Sequence, residues 1–258
     1  MRFRPCIDIH NGRVKQIVGG SLKDDNNQAD NNFVSELDAS YYANMYKRDG
    51  YSGGHIIILN PEGSEYYEKD VEQAGLALKE YPDSMQIGGG INIYNAEKFL
   101  DMGASHVIVT SYVFRNGMID YERLKSLSGL IGKERLVLDL SCRLVGEKYY
   151  VVTDRWQKIT NEEFSNELIE HLYEYCDEML VHAVDVEGKA SGVEKGVIKV
   201  LGNVDFVPVT YAGGIHDEED LNIIKVLGKQ KVDFTIGSAL DIFGGKIKYD
   251  DLKLIINR

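Results

Sequence analysis

The chain repeats itself at an offset of about half its length, and that repeat restricts the fold more than any other feature. Gln86-Ile-Gly-Gly-Gly-Ile91 leads through a helical stretch to Val107-Ile-Val-Thr-Ser111. Tyr211-Ala-Gly-Gly-Ile215 leads in the same way to Phe234-Thr-Ile-Gly-Ser238. Ile91 and Ile215 are 124 positions apart, Ser111 and Ser238 are 127 apart, and Asp8 and Asp139, each closing an apolar run, are 131 apart. Near-equal offsets point to two fused copies of one unit. Each copy holds four short apolar runs separated by amphipathic stretches. The eight runs are Phe3–His10, His55–Asn60, Met85–Gly88, His106–Thr110, Arg135–Leu140, Met179–Val184, Asp205–Thr210 and Val232–Gly237. Most are apolar along nearly their whole length, as parallel strands buried on both faces are. Strand–helix alternation means a parallel sheet, and eight units in 258 residues predict a closed α/β barrel, the (β/α)8 or TIM barrel. We expect one domain over residues 1–258, with half-barrels of about 1–130 and 131–258.

Helix starts are legible between the runs. Ser35 reads as the cap of a helix with Leu37, Tyr41 and Met45 on one stripe. Thr160-x-x-Glu163 reads as a capping box ahead of Phe164, Leu168 and Leu172. Asp217 should cap a helix carrying Leu221, Ile224 and Leu227 that stops at Gly228. The polar, Asn/Asp-rich stretch Leu22–Asn32 is expected to be a loop over the first strand, a usual place for a lid. Tyr149, Tyr150, Val151, Val152 and Trp156 form a second candidate lid, a small hairpin after strand five.

A net charge of −12 opposes nucleic acid and anionic membranes as partners. A phosphorylated ligand would also be repelled at long range, so an anion site has to be built locally from backbone amides. No apolar run reaches membrane-span length, and the N-terminus turns polar within ten residues, unlike a signal peptide. Three cysteines without CxxC spacing fit a reducing compartment, and we expect a cytoplasmic monomer.

The chemistry-bearing residues fall at strand ends. Gly89 and Gly90 follow strand three, and Thr110-Ser111 follows strand four. Gly213-Gly214 and Gly237-Ser238 occupy the matching places after strands seven and eight. Glycine lets backbone N–H groups approach an anion, and two such pairs related by the repeat imply a ligand with two phosphate ends. Asp8 and Asp139 end strands one and five, opposite each other in an eight-stranded barrel, where they can act as acid and base. His182, after strand six, can orient a substrate or carry a proton. A metal triad from His182, Asp185 and Glu187 is conceivable, but loop-ordering carboxylates are the favoured reading. Trp156, the only tryptophan, is either a stacking residue at the site or a core residue.

CIDIHNGRVKQIVGG (6–20), QIGGGIN (86–92), VLDLSCR (137–143), HAVDVEG (182–188), YAGGIHD (211–217) and GGKIKYDDL (244–252) together resemble the phosphoribosylformimino-aminoimidazole carboxamide ribotide (ProFAR) isomerases of histidine biosynthesis, in their eukaryotic-type branch. The resemblance covers nearly the whole chain. It implies an Amadori rearrangement of an aminoaldose phosphate to an aminoketose phosphate, without cofactor or metal. It implies that Asp8 is the base at sugar C2 and Asp139 the acid at the ring oxygen. The glycine–serine pairs would hold the two phosphates, with Gly188 and His182 among the substrate contacts. The chain departs from the bacterial branch, which usually has Thr at His182, Asp at Glu187 and an arginine near Gln16. The segment LNPEG (59–63) also lacks that branch's usual acidic residue. The nearest rival is the related cyclase, which works with a glutaminase partner. It usually has a lysine where Gln16 stands, and Lys15 is adjacent. A second rival is an isomerase that also accepts phosphoribosylanthranilate. A third is a non-catalytic barrel that binds a phosphometabolite.

Overall fold

A computed structural model describes residues 1–17, 31–154, 156–187 and 191–257. Eight parallel strands run in chain order around a barrel: β1 (Cys6–His10), β2 (Gly54–Ile58), β3 (Met85–Gly88), β4 (Val107–Val109), β5 (Leu136–Asp139), β6 (Glu178–His182), β7 (Val209–Ala212) and β8 (Asp233–Phe234). The ring closes ahead of β1. Phe3 bridges Phe234 in parallel, the Arg4 N–H donates to the Phe234 carbonyl at 2.8 Å, and the Phe234 N–H donates to that of Arg2 at 3.0 Å. No sheet edge is therefore left between β8 and β1. The seventh strand begins later than the apolar run suggests. Pro208 has no N–H to give a ladder, and pairing with β6 runs from Met179↔Val209 to His182↔Ala212.

Alternation along the strands sorts side chains into two compartments. Ile7, Ile9, Ile56, Ile58, Ile87, Val107, Val109, Leu138 and Val181 are buried against the helices. Ile57, Ile108, Val137, Leu180 and Ala212, one residue out of phase, pack together as a separate cluster from five different strands. Below that plug, at the strand N-termini, the interior is ionic. Arg4 pairs with Glu178 at 3.3 Å and Asp233 at 2.9 Å, while Gln86 and Thr210 donate to Glu178 at 2.9 and 2.8 Å. Above it lie Asp139 and His182, the last residues of β5 and β6, and Asp8, which does not end its strand as expected but sits two residues before the end of β1. The apolar plug thus separates a structural polar layer from a second one at the mouth.

The helices are α1 (Ala39–Asp49), α2 (Tyr67–Glu80), α3 (Ala96–Asp101), α4 (Tyr121–Ile131), α5 (Asn166–Tyr173), α6 (Lys195–Leu201), α7 (Glu218–Leu227) and α8 (Leu252–Asn257). Asp217 caps α7 as expected, its carboxylate accepting from the Asp220 N–H, and Gly228 follows the last turn. Two expected starts are corrected. Asp38, not Ser35, caps α1 by accepting from Tyr41 N–H, so Leu37 precedes the helix, and both Leu37 and Tyr41 face solvent. The buried stripe is Ala39, Tyr42, Ala43, Met45 and Tyr46. Thr160 is not a capping residue: it lies in a strand, Lys158–Glu163, and donates to the Val151 carbonyl at 2.8 Å, while Ser165 caps α5. That strand completes an antiparallel sheet with Cys142–Val145 and Lys148–Thr153, so the excursion after β5 is three-stranded rather than a single hairpin. No helix among the described residues is long and apolar enough to cross a membrane.

Candidate active site

A second hairpin builds one side of the mouth. After β1 the chain turns at Asn11 (φ 54°) and Gly12 (φ 73°) and returns as Arg13–Ile17, antiparallel to β1. Positive φ at both central residues suits Asn-Gly. The return strand carries Gln16 back alongside the middle of β1, where Lys15 pairs with Asp8 and the Gln16 Nε2 donates to Asp8 Oδ2 at 3.1 Å. On the other side, Gln16 Oε1 would lie 2.1 Å from a Cβ at Gly237. Gly237 is thus bare because a protein side chain occupies that space. The candidate lid at Leu22–Asn32 falls outside the described residues except at its last two positions, which begin the strand Asn31–Val34.

Asp8 is shielded. Burial raises its carboxyl above the usual range, the nearby Glu187 carboxyl raises it further, and His182 and Gln16 draw it back, to about 7. A carboxylate that takes up a proton near neutral pH is a competent general base. Its counterpart across the barrel is held quite differently. Ser141 Oγ–H donates to Asp139 Oδ1 at 3.0 Å, His182 Nδ1 lies 3.2 Å from the same oxygen, and Thr110 Oγ–H donates to Oδ2 at 3.3 Å. The two aspartates that the half-barrel repeat relates therefore sit in unlike surroundings.

Trp156 belongs to the mouth, not to the core. Its Nε1–H donates to Ser141 Oγ at 3.0 Å, and its ring centroid lies 6.2 Å from that of His182. The backbone there has φ of 67° at Trp156 and 52° at Asp154, a left-handed conformation that costs a non-glycine residue about 1 kcal/mol or more. The Asp154 N–H donates to Ser111 Oγ at 2.9 Å, which ties the segment to the end of β4. Strain of this kind persists where surrounding contacts over-determine the chain, commonly beside functional groups.

The glycine turns keep the symmetry of the repeat. Gly89 and Gly90 have φ of 102° and 71°, and Gly213 and Gly214 have 123° and 73°. Their roles differ, however. A Cβ at Gly89 would lie 2.0 Å from the Ile58 carbonyl and one at Gly214 2.1 Å from that of Gly192, whereas one at Gly90 meets nothing within 4 Å. Gly89 and Gly214 serve chain packing, and Gly90 faces open space. Ser238 is half-buried beside Gly237. Gly188 lies outside the described residues.

Of the conceivable metal triad, Asp185 is committed elsewhere: its carboxylate accepts from Arg143 Nε at 2.9 Å and from the Leu144 N–H at 3.0 Å. The group of described residues that does bring three such side chains together is His216, Asp217 and Asp220 at the start of α7. There His216 Nδ1 holds Asp220 Oδ2 at 2.6 Å, and Asp220 also accepts from the Val193 N–H, so helix capping accounts for it.

Ser141 and His55 are site neighbours that the sequence alone does not single out, and Gln16, marked there only as a departure from related enzymes, proves to be a partner of Asp8. The Asn11-Gly12 turn is the available signal for Gln16. For Ser141 and His55, whose ring centroid is 6.3 Å from that of His182, only the closed barrel brings them in.

The family of histidine biosynthesis proteins matches residues 2–248. The chain belongs to that family. Among its relatives is a 1-(5-phosphoribosyl)-5-((5-phosphoribosylamino)methylideneamino)imidazole-4-carboxamide isomerase of Medicago truncatula, named as chloroplastic. It is 50% identical over 256 residues, covering 98% of this chain and 80% of the plant protein. Isomerases of the same name from Yarrowia lipolytica and Saccharomyces cerevisiae are 45% and 40% identical, each over 97% of this chain and 96% of their own length.

Proposed function

We infer that this member of the histidine biosynthesis family is the aminoaldose–aminoketose isomerase that converts ProFAR, the compound in its relatives' name, into its phosphoribulosyl ketose. The observation that carries the reading is the pair Asp8 and Asp139, on opposite strands of the barrel and differently held. Such a pair can take a proton at one carbon of a bound sugar and supply one at its ring oxygen without a redox cofactor. The cyclase reading is not favoured: the named relatives are isomerases, and Gln16 serves Asp8. Gly90, with Thr110 and Ser111 beside it, and Gly213, with Gly237 and Ser238, would hold the two phosphates. The indole of Trp156 would meet the imidazole carboxamide. The acidic surface opposes nucleic acid and anionic membrane as partners; the partner is the small bis-phosphorylated substrate, and the enzyme acts as a monomer. Three buried free thiols, Cys6, Cys142 and Cys176, suit a cytoplasmic setting.

The test is a coupled assay: purified chain with ProFAR, with and without the cyclase and its nitrogen source. Conversion that stops at the ketose until the cyclase is added is expected. Progress beyond the ketose by the chain alone would favour the cyclase reading, and tight binding with no conversion would favour a binding barrel.

The phosphate assignment has its own test at Gly90. Asparagine tolerates the left-handed conformation better than other side chains, and the space there is open, so Gly90→Asn should remain folded. We expect KM for ProFAR to rise at least about tenfold, roughly 1.4 kcal/mol, with little change in kcat. An unchanged KM would remove Gly90 from the anion site.

A further inference from the structure

Among the described residues, the one side chain that hydrogen-bonds Asp8 is Gln16, and what surrounds the Gln16 amide fixes which way it faces. Gln16 is buried. One Nε2 hydrogen goes to Asp8 Oδ2 at 3.1 Å. The other meets Cys6 Sγ at 3.8 Å, and that sulfur accepts because the Cys6 thiol donates to the Ile236 carbonyl at 3.5 Å. A reversed amide would set its oxygen against both the Asp8 carboxylate and the sulfur. With both hydrogens engaged, Oε1 lies over Gly237, 2.1 Å from where a Cβ would stand, and Cδ lies 3.1 Å from it. Gly237 is not among the glycines with left-handed backbone. Its backbone does not call for glycine; the Gln16 amide resting on it does. An aspartate side chain rotates about two bonds, and a base at carbon has to aim one oxygen along the C–H bond. Pinned through Oδ2, Asp8 keeps Oδ1 for the proton.

We propose that Gln16 is the positioning residue of the base: held between Cys6 and Gly237, its amide pins Asp8 through Oδ2, favours the ionised carboxylate and leaves Oδ1 to take the C2 proton. The proposal rests on the isomerase reading and leaves the acid role of Asp139 as it stands. Burial is the main force against ionisation of Asp8. The Glu187 carboxyl, from the loop after β6, adds to it, and His182 of β6 and the Gln16 amide oppose it, with the balance at about 7. Burial also keeps the Cys6 thiol protonated. Lys15, beside Asp8 in the ladder, turns its ammonium to His10 Nδ1 at 3.3 Å. Gln16 is the neutral hydrogen-bonding partner in this set, so it can be replaced without changing any charge.

Gln16→Met keeps the length of the side chain and removes the donor. Asp8 becomes harder to ionise, and a base works deprotonated. The acid limb of the kcat/KM profile should therefore move upward from about 7, by about one pH unit. At pH 7 kcat should fall about tenfold or more, with KM for ProFAR within about threefold. Gly237→Ala tests the brace with Gln16 intact: the backbone accepts alanine, and the methyl displaces the far end of the Gln16 side chain. Its limb should move in the same direction, whatever happens to KM at the phosphate turn. In Gln16→Met/Gly237→Ala the limb should move no further than in Gln16→Met, because both changes act through one contact. Carbon NMR of unliganded protein labelled at the aspartate carboxyls, with the Asp8 signal identified by its loss in Asp8→Asn, reads the same titration without turnover. Titration near 7 in the unaltered chain and higher in Gln16→Met is expected. A limb and a carboxyl titration that stay in place in Gln16→Met overturn the proposal, as does an unmoved limb in Gly237→Ala. Failure of the isomerase reading looks different: the unaltered chain converts no ProFAR at any pH while the Asp8 titration still responds to Gln16→Met, and the positioning role falls with that reading.

Discussion

Asp8→Asn should lower kcat by about 10²–10⁴-fold while KM for ProFAR stays within about tenfold. The amide keeps the shape of the carboxylate, and its oxygen can still accept from Gln16, whose Nε2 lies 3.1 Å from Asp8 Oδ2. What is lost is the ability to take the C2 proton. The pH profile should change with it. A base works deprotonated, so activity of the unaltered chain should rise with pH through about 7, the value to which burial and Glu187 lift Asp8. That rising limb should vanish in the residual activity of Asp8→Asn. Steady-state rates from pH 5 to pH 10 provide the check. A variant with near-normal turnover, or one that keeps the same acid limb, would remove Asp8 from the role of base.

Glu178→Ala should be the most damaging change to stability that leaves the mouth untouched. Glu178 is the hub of the ionic layer below the apolar plug, with its side chain only 6% exposed. Its removal strips one carboxylate from Arg4 and leaves the Gln86 amide and Thr210 hydroxyl without their acceptor. Breaking one partner out of a buried pair costs about 3–5 kcal/mol. At roughly 2–4 °C per kcal/mol for a chain of this size, Tm should drop by about 6–20 °C in a calorimetric scan. The surviving folded fraction should keep its KM, because Leu180 and its plug neighbours stand between this layer and the site. A drop under about 2 °C would mean the layer is not a stabilising network.

Much of this is legible in the sequence, and the reasons are specific. Parallel strands buried on both faces read as apolar runs, so all eight are visible, and the repeat identifies the paired ends Asp8/Asp139 and the paired glycine turns. The differences arise where tertiary contacts override local pattern. Thr160 and Glu163 have capping-box spacing, yet an antiparallel partner, Lys148–Thr153, is close enough to take the segment as a strand. Asp38 displaces Ser35 as a cap because either fits the rule, and the choice depends on which residues α1 buries. The seventh run reads as starting early because Phe206 and Val207 are apolar although Pro208 delays pairing. In the site, residue types and spacing name candidates but not their bonds. That Gly237 makes room for Gln16, that Thr110 turns its hydroxyl to Asp139, and that His182 sits on that carboxylate are facts of three-dimensional convergence.

An enzyme that rearranges an aminoaldose to an aminoketose with its own side chains should do so alone and without a metal ion. Proton NMR of ProFAR mixed with the purified chain in excess EDTA, with no second enzyme present, reads this out directly. We expect complete loss of the substrate's C1 and C2 sugar protons and appearance of the C1 methylene of the ketose, at a rate unaffected by the chelator. Substrate that remains unchanged at saturating protein, or that converts only after a metal ion is restored, would refute the assignment.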